Sequence, residues 1–140
     1  MKKKRLLDSY ALLAYLNRER GFDKVRDFLA NAVNSGVSIL MNEINVGETY
    51  YILSRKRGPE QDEYFLETVL PNLPVAMVSN DFDSVVSASK IKALHPLSFA
   101  DCFAVSTAQR ENAIILTGDP EFKSVENLVE IDWLGPKESD

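Results

Sequence analysis

The 140-residue chain has one cysteine, Cys102, one histidine, His95, and one tryptophan, Trp133. A single cysteine forbids an internal disulfide and a cysteine-only zinc site within one chain. The single histidine likewise argues against the mixed nitrogen–sulfur zinc centres, and oxygen remains as the main metal-ligand chemistry. Basic charge is also scarce: 16 Lys and Arg stand against 21 Asp and Glu, a formal net charge of -5. A broad basic surface for gripping nucleic acid is therefore absent, and any such contact must be local. No apolar run approaches the ~20 residues needed to span a bilayer. The basic start, MKKKR, leads into an apolar stretch broken at Asp8 and followed by Asn17-Arg18-Glu19-Arg20. Lacking a small-residue cleavage site, it does not read as a signal peptide, and a cytoplasmic protein is expected.

Hydrophobic residues make up 45% of the chain, enough for one good core. The length suits a single domain, expected over residues 1–134, with a polar tail at 135–140. Apolar patterning alternates between short runs and helical stripes. Strands are expected near 4–7, 37–41, 73–78, 113–116 and 128–133. Helices are expected at 9–17 with Ser9 as cap, 22–33 closed by Gly36, and 44–57 stopped by Gly58-Pro59. Three more follow: 60–70 with Tyr64, Phe65 and Leu66 inward, one capped by Asn80 or Asp81 and running to 94, and 98–112. A short irregular or helical stretch covers 121–125. This alternation implies a three-layer α/β/α sandwich around a central, mainly parallel sheet.

Four carboxylates stand where structure alone does not ask for them. Asp8 directly follows the first expected strand, and Asp119 lies just past the fourth. Carboxyl ends of parallel strands share one edge, so the two can be close in space despite 110 intervening residues. Either could merely begin a turn or helix. Glu48 falls on the same helical stripe as Ile44, Tyr51 and Ile52, facing inward beside Gly47, unless it is ion-paired or reaches solvent at the margin. Asp101 shares a face with Val105 and Ala108, although a capping box with Ser98 explains it equally well.

Four acids at one edge repel one another unless protons or cations compensate. Mg²⁺ or Mn²⁺ suits such a set, and the chemistry that follows is phosphodiester hydrolysis without a histidine or cysteine nucleophile. Asp8, Asp119 and Asp101 are the principal expected ligands, with Glu48 a ligand or an orienter of water. Thr117 and Ser9 are expected polar auxiliaries, unless each only braces its turn. Arg18, Arg20, Lys24, Arg55, Lys56 and Arg57 are candidate phosphate contacts, and Tyr10, Tyr15, Tyr50, Tyr51, Tyr64 and Phe65 supply aromatic area for core or interfaces.

The order of Asp8-Ser9, NEINVGETYYILSR, LSFADCFAVSTAQRENAIILTGDPEF and its Thr117-Gly118-Asp119 ending resembles the successive motifs of PIN-domain nucleases over nearly the whole chain. The small form is similar to the VapC toxins of VapBC toxin–antitoxin pairs. That resemblance implies a Mg²⁺- or Mn²⁺-dependent endoribonuclease with Asp8, Glu48, Asp101 and Asp119 as its acidic quartet. Thr117 matches the common Thr or Ser near the last acid, and Glu43 reads as an outer acid. It also implies an RNA substrate, an antitoxin partner and a homodimer. Cys102 stands where relatives often carry Ala and should be buried. Alternatives are an RNA-processing nuclease outside a toxin pair and a non-catalytic RNA- or protein-binding module. A receiver domain or haloacid-type phosphatase fits poorly: Val78-Ser79-Asn80-Asp81 offers no matching acceptor, and Asp8 is followed by Ser9-Tyr10 rather than by an Asp-x-Asp pair.

Overall fold

In the computed structural model, which describes residues 3–135, Leu6 and Leu7 on the first strand turn to opposite faces of a sheet and both are fully buried. Ile115 and Leu116 on the fourth do the same. Consecutive apolar residues on a strand need cover on both sides, because successive side chains alternate between faces. Two cores result. One joins Leu7, Leu12, Val25, Leu29, Met41, Leu53 and Leu116, and the other joins Leu6, Phe103, Val105, Ile115, Phe122 and Val125.

The strands are β1 (Arg5–Leu7), β2 (Ile39–Asn42), β3 (Val75–Val78), β4 (Ile114–Thr117) and β5 (Ile131–Trp133), all paired in parallel in the order β3-β2-β1-β4-β5. The helices α1 (Ser9–Leu16), α2 (Phe22–Ser35), α3 (Glu43–Arg57), α4 (Pro59–Tyr64), α5 (Phe82–Leu94) and α6 (Phe99–Glu111) complete the three-layer sandwich. Strand order reverses beside β1. From β1 the chain moves outward to β2 and β3, then returns through α5 and α6 to place β4 on the other side of β1. Such a switch point opens a crevice at the carboxyl ends of the two central strands.

Several local expectations change. Asp8, not Ser9, caps α1: its Oδ1 accepts from Ala11 N at 2.8 Å, which frees the Ser9 hydroxyl for another partner. Asp81 caps α5, and Ser98 caps α6 by accepting from Asp101 N at 3.2 Å. The buried stripe of α3 is Asn45, Val46, Thr49 and Leu53, whereas Ile44 and Tyr51 are exposed. The inward face is thus rotated from the one read from sequence, because polar Asn45 and Thr49 are buried with hydrogen bonds of their own: Asn45 Nδ2 donates to Ala100 O and Thr49 Oγ1 to Asn45 O. Residues 60–70 do not form one helix. A π-helical turn (Phe65–Val69) and a 3₁₀ turn (Leu70–Asn72) follow α4, and Pro71, which has no N–H, lies in the latter. Only Phe65 of the expected inward trio is buried; Tyr64 and Leu66 are exposed, as is Val33 on α2. Cys102 is fully buried. The expected tail lies, beyond Gly135, outside the described residues.

Candidate acidic active site

Asp8 sits where β1 passes into α1 and is completely buried. Its N-cap role holds Oδ1, while Oδ2 accepts a 2.5 Å hydrogen bond from Thr117 Oγ1 at the end of β4. Burial pushes the Asp8 carboxyl up to about 8; the bonds from Thr117 and Ala11 pull it down, and the charges of Asp101 and Asp119 raise it further. The same Thr117 hydroxyl accepts from Asp119 N at 3.1 Å, so one side chain ties the ends of β1 and β4 to the turn that follows.

Asp101 enters from the opposite helical layer, in the first turn of α6, and is 6% exposed. Its carboxyl is raised to about 7, first by burial and then by Glu48, Asp119 and Glu121, against a lowering hydrogen bond with Ser98. Glu48 projects from α3, half-buried, and accepts from Ser9 Oγ at 2.5 Å. Asp119 caps the 3₁₀ turn Pro120–Val125, its Oδ1 accepting from Glu121 N at 3.0 Å.

The expected quartet is therefore gathered at one sheet edge. Asp8 senses Asp101 and Asp119, and Asp101 senses Glu48 and Asp119. The tightest group of ligand oxygens is different: one each from Asp101, Asp119 and Glu121, all within 4.8 Å of one another. Glu121 was missed in the sequence because residues 121–125 looked irregular. The available signal was Asp119-Pro120-Glu121: proline favours the first turn of a helix, and a capping acid there turns the acid two residues on back toward the same edge.

Oxygens bound to one divalent ion at ~2.0–2.6 Å lie at most about 4–5 Å apart, so this spacing suits an oxygen-ligated cation. Among the described residues no lysine or arginine forms an ion pair with Asp8, Glu48, Asp101, Asp119 or Glu121. Desolvated carboxylates without a protein cation must take up protons or an external cation. The residues present fit Mg²⁺ or Mn²⁺.

The expected outer groups lie elsewhere. Glu43 is exposed and its Oε2 accepts from Asn80 N at 3.0 Å. Lys24 is engaged with Asp132 and the Trp133 carbonyl, Arg57 bonds Asn17, and Arg18 lies over the Phe22 ring. Arg55 packs over Tyr51, the exposed residue one turn beyond Glu48.

Comparison with known proteins identifies the fold that carries this site. A profile described as PIN domain matches residues 5–128. No curated protein gives a significant sequence match. Among solved structures, DNA-bound VapBC from Salmonella typhimurium superposes with a TM-score of 0.73 at 15% identity, covering 96% of this chain and 100% of that one. VapBC2 from Rickettsia felis, bound to a promoter DNA fragment, gives 0.69 at 20% identity, with 91% and 96% covered. VapC20 from Mycobacterium tuberculosis, a sarcin–ricin loop cleaving toxin, gives 0.65 at 16% identity, with 91% and 98% covered. At these identities the likeness is one of fold.

Proposed function

The chain belongs to the PIN-domain family, and on that premise we propose that it is a metal-dependent endoribonuclease hydrolysing RNA phosphodiester bonds, the toxin of a toxin–antitoxin pair. The observation that supports this reading most is the group of acids at the switch point, with which no lysine or arginine among the described residues forms an ion pair. A purely structural role gives no reason to gather such groups, since their mutual repulsion and desolvation cost stability.

In this reading Asp101, Asp119 and Glu121, with Asp8 beside them, would hold Mg²⁺ or Mn²⁺. When bound, such an ion supplies Lewis acidity toward a phosphate oxygen and makes a water easier to deprotonate. The chain's own groups do the rest. Thr117 fixes the rotamer of Asp8 and the backbone before Asp119 through its paired hydrogen bonds. Glu48, held by Ser9, has its second carboxylate oxygen available to orient the attacking water and accept its proton. The functional domain spans residues 1–134. Among the described residues no helix is long and apolar enough to cross a membrane, and the proposed setting is the cytoplasm. An antitoxin and a second copy of the chain are the proposed protein partners; VapBC is the complex in two of the similar structures.

The test is cleavage of a pool of structured cellular RNAs by purified, partner-free protein with Mg²⁺, with Mn²⁺ and with chelator, beside Asp8→Asn. Metal-dependent cutting at defined sites, absent in the variant, is expected. A folded protein that binds the metal and cuts nothing would leave a non-catalytic binding module in its place.

A further inference from the structure

Tyr10 follows Asp8 by two residues, yet its ring does not turn into the core: it is 40% exposed. It also reaches across the switch point. A Cβ built on Gly118 would meet Tyr10 Cε1 at 2.5 Å, Cζ at 3.1 Å and Cδ1 at 3.2 Å, so the ring lies directly on the backbone of the turn between Thr117 and Asp119. Only glycine allows that approach. The Cδ1–Cε1–Cζ edge of the ring is thus held against the loop that carries Asp119, and the residue as a whole stays 40% exposed.

A net charge of -5 gives the chain little electrostatic attraction for a polyanion. Contacts that do not depend on charge then add to what local basic groups and a bound cation supply. Stacking of a nucleobase on an aromatic ring is such a contact, and it is strongest in effect where the ring is already immobilised, because less side-chain entropy is lost on binding. We propose that Tyr10, seated on Gly118, is the stacking platform for a nucleobase adjacent to the phosphate cut at the acidic site. The inference rests on the ribonuclease reading above and adds to it a residue that positions the strand by its base. Stacking on a single ring is tolerant of base identity, so Tyr10 contributes affinity and register more than sequence choice.

The experiment uses short single-stranded RNA carrying a fluorescent purine analogue, titrated with the wild-type chain, Tyr10→Phe, Tyr10→Leu and Tyr10→Ala. Each is also made on an Asp8→Asn background so that binding is read without cutting. Wild-type and Tyr10→Phe should quench the analogue and bind alike. Tyr10→Leu and Tyr10→Ala should lose the quenching and bind roughly 5- to 150-fold more weakly, the range expected for one lost base–aromatic stack. In cleavage the same two variants should raise KM with a smaller change in kcat, and Tyr64→Ala, an exposed tyrosine on α4, should match wild type. Tyr10→Leu keeps apolar bulk against Gly118 and guards against a folding defect in Tyr10→Ala. Wild-type binding by Tyr10→Leu overturns the proposal, as does equal loss in Tyr10→Phe, which would assign the effect to the hydroxyl. Tyr10-dependent quenching without any cleavage by the wild-type chain would overturn the nuclease reading alone, and a chain that binds no RNA overturns both.

Discussion

Asp132 on β5 lies between two cations, with Arg5 Nη2 at 3.2 Å and Lys24 Nζ at 2.5 Å, whereas Asp8 and Asp101, more deeply buried, face only other acids among the charges that shift them most. Both groups belong to the same small domain. Around Asp132 the chain supplies its own counter-charges: Arg5 packs over the Phe28 ring, and Lys24 also bonds the Trp133 carbonyl. That carboxylate ties β1, α2 and β5 together. At the switch point, by contrast, the compensation is left to protons or to an ion from solution. A carboxylate whose partner is built in serves the fold, and one without a counter-charge among the described residues is left open to a proton or a bound cation.

Removing an acid from the second group should have the largest effect. Asp8→Asn or Asp119→Asn is expected to reduce metal-dependent RNA cleavage to background while the thermal midpoint of the metal-free protein at pH 9 stays level or rises, since above about pH 8 the Asp8 carboxyl is charged and either substitution then removes one repelling charge. Unfolding of both variants would show that these acids are structural and erase the contrast.

A sharper way to break it is to give the site a cation of its own. Glu121→Lys should place an ammonium near Asp101 and Asp119, abolish stabilisation by Mn²⁺ in thermal melts, and make the chain resemble the Asp132 region in its tolerance of chelator. Undiminished stabilisation by Mn²⁺ would remove Glu121 from the ion's coordination.

The pH dependence distinguishes the regions without mutation. Folded-state values of about 8 for Asp8 and about 7 for Asp101 lie above the ordinary 3.8, so between about pH 4 and 8 the folded chain binds more protons than the unfolded one. As far as these groups are concerned, stability is fully present below about pH 4, falls as the pH rises through 7 and 8, and is flat beyond. Urea titrations of metal-free protein should show that decline, and saturating Mn²⁺ should offset it increasingly as protons leave. A metal-free stability that rises from pH 5 to 8 would contradict the assignment.

Smaller effects follow from the supporting hydrogen bonds. Thr117→Val removes the bond that lowers Asp8 and frees Asp119 N. Calorimetry should then read a metal affinity about 10- to 100-fold weaker, the usual cost of losing a group that orients a ligand. On the other side of the comparison, Asp132→Asn leaves two partly buried cations uncompensated and should cost about 1–3 kcal/mol in chemical denaturation. Metal affinity should stay at the wild-type value; a loss there would mean that the two regions are coupled.

Much of this was legible in the chain itself. Leu6-Leu7 and Ile114 to Leu116 announce strands buried on both faces, and Asp8 and Asp119 just past them announce an acidic edge. The expectation that Glu48 lies on the inward stripe does not hold: the core stripe of α3 is Asn45, Val46, Thr49 and Leu53, and Glu48 faces Ser9 at its margin. Hydrophobic periodicity misplaced that face because Asn45 and Thr49, polar by type, are buried once hydrogen bonds are available to them. Glu121 escaped notice because an exposed acid after a proline carries no periodic signal.

Local chemistry along the chain, then, determined the alternation of strands and helices, the two-sided core and the types of ligand on offer, since these depend on side-chain periodicity and on residues near one another in sequence. The tertiary structure decided which acids meet. Asp8 and Asp119, with 110 residues between them, become neighbours because strand order reverses beside β1, and Tyr10 comes to lie on Gly118 through the same reversal. Distances across a sheet are set by pairing order and packing, and no local pattern in the chain encodes them.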